Sequence, residues 1–380
     1  MKLATLFVLA LVLSAVALDR YPHPWAWILP TFSVVLALSA WQSRGRVRFV
    51  FLNLAAVVAT LAAVELAWQL PSLGAQSPGR AGSTRSGPYY RTLPVLGYAG
   101  AKGVSVSETA TFEEEKIYDV VYTTDENGLR ISAPRSGREE ASVLFFGCSF
   151  TFGWGVQDQE TLPYRTGVLS DGRYAVSNFG VIGYGPHHAL ATIEEGLVEA
   201  AVEVRPRYAV YSLIGDHILR VMGWGPWNNV SPRYALSDAG GVVYQGPFES
   251  TPPPAPRGFV EGVTRQLAKS AVVSRVAPTL GQQLEIDLLV EILAQAGRRL
   301  EELYPGLEFH VLVWDPDDRL INRASRALRA RGLRVHLVSE ALAGYAKDAD
   351  RFHIPHDGHP TARAYDGLAR YLTAEVLTDR

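Results

Sequence analysis

Three long apolar runs occupy the first part of this 380-residue chain, at residues 3–18, 25–41 and 49–70. A helix rises ~1.5 Å per residue, so the third run can cross the ~30 Å hydrocarbon core of a bilayer, and the first two are slightly thin spans. Their uninterrupted apolarity argues against core helices of a globular domain. We therefore predict a membrane region at residues 1–70 with two to three transmembrane helices.

The arginines between the second and third runs predict how this region is oriented. Arg44, Arg46 and Arg48 lie there, and such residues accumulate in cytoplasmic loops. With three spans, the chain after residue 70 lies outside the cytoplasm. A cleaved signal peptide in place of the first span, followed by two spans, gives the same result. Only an even number of spans starting inside leaves the remainder in the cytoplasm. We expect a multi-pass protein of the cell (inner) membrane with an extracytoplasmic, periplasmic domain.

Charge and cysteine content exclude several classes of partner and cofactor. A formal net charge of −2 and a pI near 6.5 provide no basic field for binding nucleic acid. Cys148 is the single cysteine, which excludes an intramolecular disulfide and argues against a cysteine-based zinc site. We predict no nucleic-acid partner, no metal and no cofactor.

A linker and a small β-rich unit are predicted after the membrane region. Residues 71–88 are rich in Gly, Ser, Pro and Arg, which is typical of a flexible tether. Residues 89–140 read as a small β-rich preface to the main domain. The elements predicted in this preface are strands at 104–112 and 116–124 and a turn at 125–128.

Residues 141–380 alternate apolar β-type runs with helical patterns, which indicates an α/β domain whose parallel sheet is covered by helices. A stretch rich in Pro, Gly and aromatic residues at about 222–262 interrupts this rhythm and predicts an insertion beside the carboxyl edge of the sheet, where loops carry function. The predicted strands are 142–146, 174–179, 208–213, 309–314 and 335–337. The predicted helices are 161–169, 187–204, 282–303, 319–331 and 361–377.

Ser149 follows the first of these strands on a glycine-rich turn, a position suited to a nucleophile. The segment differs from the Gly-x-Ser-x-Gly elbow of α/β-hydrolases, because Thr151 stands where the second glycine would be. A serine at such a place, taken alone, is more often a helix cap or a turn former. Residues near the opposite end of the chain favour the interpretation of Ser149 as a nucleophile.

Asp357 and His359 lie on one loop before the last predicted helix. Serine catalysis needs a base to accept the hydroxyl proton and a carboxylate to orient that base, and this loop offers both. A metal site using His353, His356, His359 and Asp357 is the alternative, but the spacing lacks the i, i+4 pattern of helical metal ligands. We favour the pairing with Ser149.

A second glycine-rich turn, at residues 178–185, follows the second predicted strand. Glycines let backbone N–H groups approach a ligand closely, so this turn can direct a donor at the oxyanion that forms when Ser149 attacks a carbonyl. A plain tight turn is the simpler interpretation.

Three blocks of the domain together resemble the SGNH (GDSL-like) hydrolase superfamily, over essentially residues 141–380. They are Gly147-Cys148-Ser149 with Phe-Thr-Phe-Gly-Trp-Gly-Val after it, residues 178–183, and Asp357-Gly358-His359-Pro360. The resemblance implies a flavodoxin-like three-layer sandwich with a five-stranded parallel sheet. It also implies a triad of Ser149, His359 and Asp357, and an oxyanion hole made by the Ser149 N–H, the glycine Gly183 and an asparagine of a third block.

The chain departs from the pattern of that superfamily at three points. Cys148 replaces the usual aspartate between Gly147 and Ser149, at a mostly structural position. The third block usually reads Gly-Asn-Asp but here contains Asp216, a doubtful oxyanion-hole residue because a carboxylate repels the oxyanion unless it is protonated or turned away. The Asp-x-His spacing of Asp357 and His359 resembles that of alginate-type acetyltransferases, which hints at acyl transfer.

Two functional hypotheses follow from this reading. The first is serine-dependent hydrolysis or transfer of acyl esters, acetyl above all, on an envelope glycan or lipid, with a possible membrane partner that supplies acyl groups. The second is a catalytically silent protein of this fold that binds an envelope glycan or a protein partner, for which Asp216 is the main argument. The candidate substrate-binding residues are Tyr184, His217, Trp224 and Trp227, and Tyr234 and Tyr244 are further candidates for stacking on sugars.

Overall fold

The computed structural model describes residues 25–74, 82–250, 283–314 and 319–378, and single positions outside these ranges. The chain divides into two compact units. The N-terminal unit comprises Met1–Pro78 and Ala255–Gln283, and the α/β unit comprises Gly79–Pro254 and Leu284–Arg380.

Two apolar helices form most of the described part of the N-terminal unit. Helices α1 (Trp25–Gln42) and α2 (Gly45–Gly74) lie against each other, and the Ser33 hydroxyl donates a hydrogen bond to the Ala55 carbonyl at 3.1 Å. Both are long and apolar enough to cross a membrane, and most of their side chains are exposed. The span predicted at 3–18 lies outside the described residues, apart from single positions.

Five short strands precede the main sheet: β1 (Gly82–Arg85), β2 (Tyr90–Leu93), β3 (Gly97–Gly100), β4 (Ser105–Phe112) and β5 (Glu115–Thr123). The predicted strand pair corresponds to the antiparallel hairpin β4–β5, and β1 adds to the other edge of β4. The linker predicted at 71–88 is therefore wrong at both ends, because α2 continues to Gly74 and β1 is a strand. Backbone pairing with β4 and a 3.0 Å ion pair between Arg85 and the buried Glu108 stabilise β1.

The main sheet of the α/β unit is parallel and has five strands. The strands after β5 are β6 (Ala141–Phe146), β7 (Tyr174–Asn178), β8 (Pro206–Leu213), β9 (Pro232–Leu236), β10 (Val242–Pro247), β11 (Glu308–Val313) and β12 (Arg334–Leu337). The order in the main sheet is β12-β11-β8-β6-β7, which read from β7 is the second, first, third, fourth and fifth strand of a flavodoxin-like fold. The predicted fold class is confirmed.

Helices cover both faces of this sheet, because successive side chains of each strand point to opposite sides. Leu144 and Phe146 of β6 belong to one apolar core, and Val143 and Phe145 belong to the other. The helices after α2 are α3 (Ser149–Phe152), α4 (Leu162–Leu169), α5 (Pro186–Glu194), α6 (Leu197–Ala201), α7 (Asp216–Arg220), α8 (Gln283–Leu303), α9 (Arg319–Ala330), α10 (Val338–Ala341) and α11 (Ala362–Tyr371). The first core includes residues of α5, α8 and α9, and the second includes residues of α4 and α11.

Two predicted helices differ from the observed ones. The helix predicted at 187–204 is broken into α5 and α6 by Gly196, which adopts a left-handed backbone with φ of 68°. The helix predicted at 361–377 begins as expected, with the Thr361 hydroxyl accepting a hydrogen bond from the Ala364 N–H. It continues after Tyr371 as a single π-helical turn, Leu372–Val376.

The insertion predicted at 222–262 is divided between the two units. Its first part forms the hairpin β9–β10 in the α/β unit, while the chain from Ala255 belongs to the N-terminal unit. There the Ser270 hydroxyl donates a hydrogen bond of 2.8 Å to the buried carboxylate of Glu65. A carboxylate among apolar helices is costly without such a donor. Residues 251–262 lie outside the described part of the chain.

Candidate active site

Ser149 is presented by the turn that leaves the carboxyl end of β6 and enters α3. The turn depends on Gly147, whose φ of 147° suits glycine, and a Cβ at this position would overlap the Thr151 hydroxyl. Ser149 is the first residue of α3 and is 6% exposed. A short helix at the carboxyl end of the first strand therefore presents a nearly buried hydroxyl beside a cavity.

Thr151 and Asn178 hold this turn against the neighbouring glycine-rich turn. The Thr151 hydroxyl donates to the Phe146 carbonyl at 3.1 Å, and the Asn178 amide donates to the Thr151 carbonyl at 3.1 Å. The Asn178 side-chain oxygen accepts from the Gly180 N–H at 3.0 Å, and a Cβ at Gly180 would lie 2.5 Å from the Phe152 nitrogen. Thr151, which stands where the α/β-hydrolase elbow has its second glycine, thus caps the end of β6.

The loop that carries Asp357 and His359 is folded tightly on itself. Its ends are joined by a 2.7 Å hydrogen bond from the Ile354 N–H to the His359 carbonyl, and His356 and Gly358 both have positive φ, 61° and 85°. The His356 ring stacks on Phe112 of the β4–β5 hairpin, with ring centroids 4.0 Å apart. Strained, non-glycine positions such as His356 persist where the surroundings hold them, and this contact does so.

Ser149, His359 and Asp357 meet in a continuous chain of hydrogen bonds. His359 Nε2 lies 2.8 Å from Ser149 Oγ, and His359 Nδ1 lies 2.6 Å from Asp357 Oδ1. The Asp357 carboxylate also accepts a 3.1 Å hydrogen bond from the His359 backbone N–H. When Nδ1 carries the proton for Asp357, Nε2 is free to accept the Ser149 proton. The structure therefore brings together the three residues predicted as a triad.

A cavity of about 650 Å³ opens at this group, and Ser149, Asp357 and His359 all line it. Most of its remaining wall is aromatic or cationic. The tyrosines in it are neutral at ordinary pH, since burial raises the pKa of Tyr89 to about 12 and that of Tyr98 further. The aromatic and cationic residues of the wall are Arg85, Tyr89, Tyr90, Tyr98, Phe150, Trp154, Arg220 and Trp227.

A second cavity, of about 980 Å³, adjoins the first on the Asp357 side. The two share Phe150, Ile214, Asp216, Asp357 and Gly358, while Ser149 and His359 line only the first. The additional wall residues of the second cavity include Leu219, Leu320, Asp350, His353, Ile354, Pro355 and His356.

Gly183 and Asp216, the two other predicted oxyanion-hole residues, both line the first cavity. Gly183 has φ of 86° in a turn closed by a 3.1 Å hydrogen bond from the Tyr184 N–H to the Val181 carbonyl. Asp216 begins α7 with 53% of its side chain exposed, and its carboxylate lies 3.3 Å from Arg220 Nη2. At the position where the superfamily usually has an asparagine, this chain thus places an ion-paired carboxylate on the cavity wall.

Three of the four candidate substrate contacts are not on the cavity wall. Tyr184 is buried with its hydroxyl bonded to the Tyr98 carbonyl, and His217 is buried with Nδ1 2.9 Å from the Tyr211 hydroxyl. Each of these two rings has one polar atom paired inside the protein and lies away from the cavity wall. Trp224 is 51% exposed and lies outside the described lining, whereas Trp227 lines the cavity. Tyr234 and Tyr244, on the β9–β10 hairpin, contact each other rather than the cavity.

The sequence reasoning missed several residues that shape the site. Arg85 was placed in a linker, although its charge pairs with Glu108. Arg220 had no motif to mark it, but its position four residues after Asp216 is the ordinary helical spacing of an ion pair. Among the described residues, no group of three or more His, Cys, Asp or Glu side chains is arranged to hold a metal ion.

Arg130, on the segment that joins the β-rich preface to β6, clamps the chain that follows the nucleophile helix. Its guanidinium is fully buried, lies 2.9 Å from Asp158, and donates to the Phe152, Gly153 and Val156 carbonyls. The carbonyls that end a short helix need donors, and Arg130 provides them. The preface therefore supports the Ser149 turn directly.

Comparisons with known proteins found similarity to solved structures at low sequence identity. No family model and no curated protein matches the chain. A solved lipolytic protein of the G-D-S-L family from Desulfitobacterium hafniense DCB-2 is similar at 10% identity and a TM-score of 0.35, covering 62% of this chain and 98% of its own. AlinE4, an SGNH-hydrolase family esterase, is similar at 18% identity and a TM-score of 0.32, covering 63% and 98%.

A carbohydrate acetylesterase family member from Sinorhizobium meliloti is similar at 11% identity and a TM-score of 0.34, covering 61% of this chain and 95% of its own. The functional argument rests on the residues of this chain.

Proposed function

We propose that this chain, with its SGNH-type fold, is a serine-dependent esterase or acyltransferase that forms an acyl-Ser149 intermediate. The single observation that carries the proposal is the contact chain from Ser149 Oγ to His359 Nε2 at 2.8 Å and from His359 Nδ1 to Asp357 at 2.6 Å. These are hydrogen-bonding distances between a nucleophile, a base and an orienting carboxylate, open to a cavity.

The proposed reaction begins when His359 Nε2 accepts the Ser149 proton as Oγ attacks the ester carbonyl. The Asp357 carboxylate holds the imidazole in the required tautomer and stabilises its charged form. The tetrahedral intermediate collapses, the C–O bond to the alcohol breaks, and the alcohol takes the proton from His359. Water or a second hydroxyl then gives its proton to His359 and attacks the acyl-serine. The bond from the acyl carbon to Ser149 Oγ breaks, and His359 returns the proton to Oγ.

Carbohydrate is the substrate class that the cavity wall supports best. Tyr89, Tyr90, Tyr98, Trp154 and Trp227 line it with aromatic rings, and aromatic faces suit the apolar faces of a sugar ring. We propose an acylated, above all acetylated, envelope glycan as the substrate, with an acylated lipid as the alternative. The adjoining cavity of about 980 Å³ offers room for an acceptor hydroxyl in the case of transfer.

The membrane placement belongs to the same proposal. Helices α1 and α2 have the length and composition of spans, and Arg44, Arg46 and Arg48 lie at or just after the connection between them. Arginines at this place favour a cytoplasmic connection and hence an extracytoplasmic α/β unit. We therefore propose an inner-membrane protein with its site on the periplasmic side, where a membrane partner can supply acyl groups.

The test is covalent labelling of the purified full-length protein with a fluorophosphonate probe. Labelling of the wild type that disappears in Ser149→Ala and in His359→Ala supports the proposal, because the probe reacts with an activated serine. Ser142→Ala is the matched control, since Ser142 lies at the other end of β6 and donates only to the Val204 carbonyl. A folded wild type that stays unlabelled contradicts the enzymatic proposal.

One observation favours a second candidate function, the binding of a glycan or protein partner without turnover. Asp216 presents a half-exposed carboxylate to the cavity where an amide donor is expected. Under this alternative the folded protein stays unlabelled yet retains acetylated oligosaccharides in equilibrium dialysis, and Trp227→Ala abolishes that retention.

A further inference from the structure

Asp216 raises a specific electrostatic problem for the proposed ester chemistry. The tetrahedral intermediate carries a negative charge close to Ser149, and a carboxylate on the same cavity wall repels it. The chain places Arg220 one helical turn later in α7, with Nη2 3.3 Å from the Asp216 carboxylate. Arg220 also lines the cavity that contains Ser149 and His359.

Arg220 is buried to an unusual degree for a cation, with only 6% of its surface exposed. Its Nη1 donates a 2.9 Å hydrogen bond to the Tyr184 carbonyl, at the turn that contains Gly183. Its Nε is buried and has no partner among the described residues. Arg220 therefore has one N–H group that makes no hydrogen bond to the described residues, and its charge is only partly neutralised by the half-exposed carboxylate of Asp216.

The three histidines near Arg220 add no positive charge. Burial is the largest cause that lowers the pKa of His187, His188 and His217, and the charge of Arg220 lowers each of them further. These three rings are neutral at physiological pH. Among these four described residues Arg220 alone carries a positive charge, in surroundings where low polarity strengthens charge interactions.

We propose that Arg220 supplies the anion stabilisation that an asparagine at position 216 would otherwise give, through its charge and its hold on the Gly183–Tyr184 turn. The inference rests on the proposed function. A guanidinium suits the role because it stays charged at every working pH and is fixed in orientation by its planar donors. Asp216 then acts as a partial counter-charge that holds Arg220 in place and weakens its effect on the intermediate.

This proposal predicts opposite effects for changes at the two partners. Asp216→Asn keeps an oxygen that accepts from Arg220, removes the repulsion, and adds an amide donor, so kcat rises several-fold. Arg220→Gln removes the charge and lowers kcat by about 10²-fold, the lower end of the effect of losing one oxyanion donor. Arg220→Lys retains the positive charge but not the planar guanidinium, so it lowers kcat less than Arg220→Gln does.

The experiment measures kcat and KM for 4-nitrophenyl acetate and the rate of fluorophosphonate labelling, with the full-length protein and the three variants. A wild type whose Ser149 is not labelled overturns the proposed function. A labelled wild type with Asp216→Asn at or below its kcat overturns this inference alone. Because Asp216 is half exposed, its variant decides the matter even where Arg220→Gln fails to fold. A change in KM without a change in kcat also contradicts the proposed role.

Discussion

The indole of Trp154 lies nearly parallel to the imidazole of His359, with the ring centroids 5.5 Å apart and the planes 10° apart. Trp154 is itself held by the β-rich preface. Its Nε1 donates to the Tyr118 hydroxyl at 2.5 Å, and the Arg85 guanidinium lies 4.9 Å from the Trp154 ring centroid. The Trp154 ring therefore connects the preface to the proposed base.

Removing this ring should weaken catalysis by releasing His359 from its orientation. An aromatic pair is worth about 0.5–1.5 kcal/mol, so Trp154→Leu should lower kcat about two- to tenfold with a smaller change in KM. Trp154→Phe keeps the stack and should retain most of the activity. Steady-state kinetics with 4-nitrophenyl acetate check this, and equal losses in both variants would show that stacking is not the operative contact.

The carboxylate of Asp357 should be required for its charge rather than for its shape. Asp357→Asn allows imidazole to be held in the wrong tautomer, and a change of this kind lowers kcat by about 10⁴ in serine proteases. The matched control is Asp350→Asn, an exposed carboxylate before the same loop that lines only the adjoining cavity. Similar kcat values for the two variants would contradict the proposed role of Asp357.

Breaking the buried pair of Arg130 and Asp158 should destabilise the α/β unit strongly. The two atoms lie 2.9 Å apart with both side chains almost wholly buried, so Asp158→Ala leaves an uncompensated cation and should cost about 3–5 kcal/mol. Glu203→Ala breaks the exposed pair with Arg135 and should cost at most about 1 kcal/mol. Urea unfolding of the full chain in detergent, followed by tryptophan fluorescence, compares them; equal midpoints would refute the prediction.

The buried histidines should make the protein sensitive to acid. Burial lowers the pKa of His187 to about 3 and places those of His188 and His217 well below 6.5. Below pH ~6.5 these histidines become protonated in the unfolded chain, whereas in the folded protein they stay neutral to lower pH. Their contribution to stability is therefore complete above pH ~6.5 and falls on further acidification, by on the order of 1 kcal/mol per pH unit for each histidine.

His217→Gln tests this dependence, because glutamine does not titrate and still offers an acceptor to the Tyr211 hydroxyl. Urea midpoints at pH 7.5 and pH 5.5 should differ less for the variant than for the wild type. An unchanged difference would mean that other groups cause the loss of stability in acid.

The proposed orientation in the membrane can be checked by cysteine labelling. Cys148 is buried, so a membrane-impermeant maleimide should report only new cysteines. Ala239→Cys, in the exposed turn of the β9–β10 hairpin, should be labelled in cells with a permeabilised outer membrane. Ser43→Cys, between α1 and α2, should be labelled only after the inner membrane is opened. The reverse pattern would place the α/β unit in the cytoplasm.

Local signals were sufficient for much of this protein. The alternation of apolar strands and amphipathic helices predicted the parallel sheet, and the strand ends fell within a few residues of those observed. Ser149, Asp357 and His359 were identified because parallel strands deliver their carboxyl-end loops to one edge. The errors arose where order comes from partners distant in the chain: β1 exists because β4 pairs with it, and the hydroxyl of the buried Tyr184 finds its partner in the Tyr98 carbonyl.

The sequence alone determined the apolar helices, the doubly wound sheet and the identities of the three residues that meet at its edge. Each of these features depends on periodicity or on short motifs, so residues close together in the sequence are enough to predict it. Only the tertiary structure decided that Arg85, Arg220 and Trp154 surround that group. Long-range packing brings their charges and rings together, and no local pattern records that these three side chains will line the cavity of Ser149 and His359.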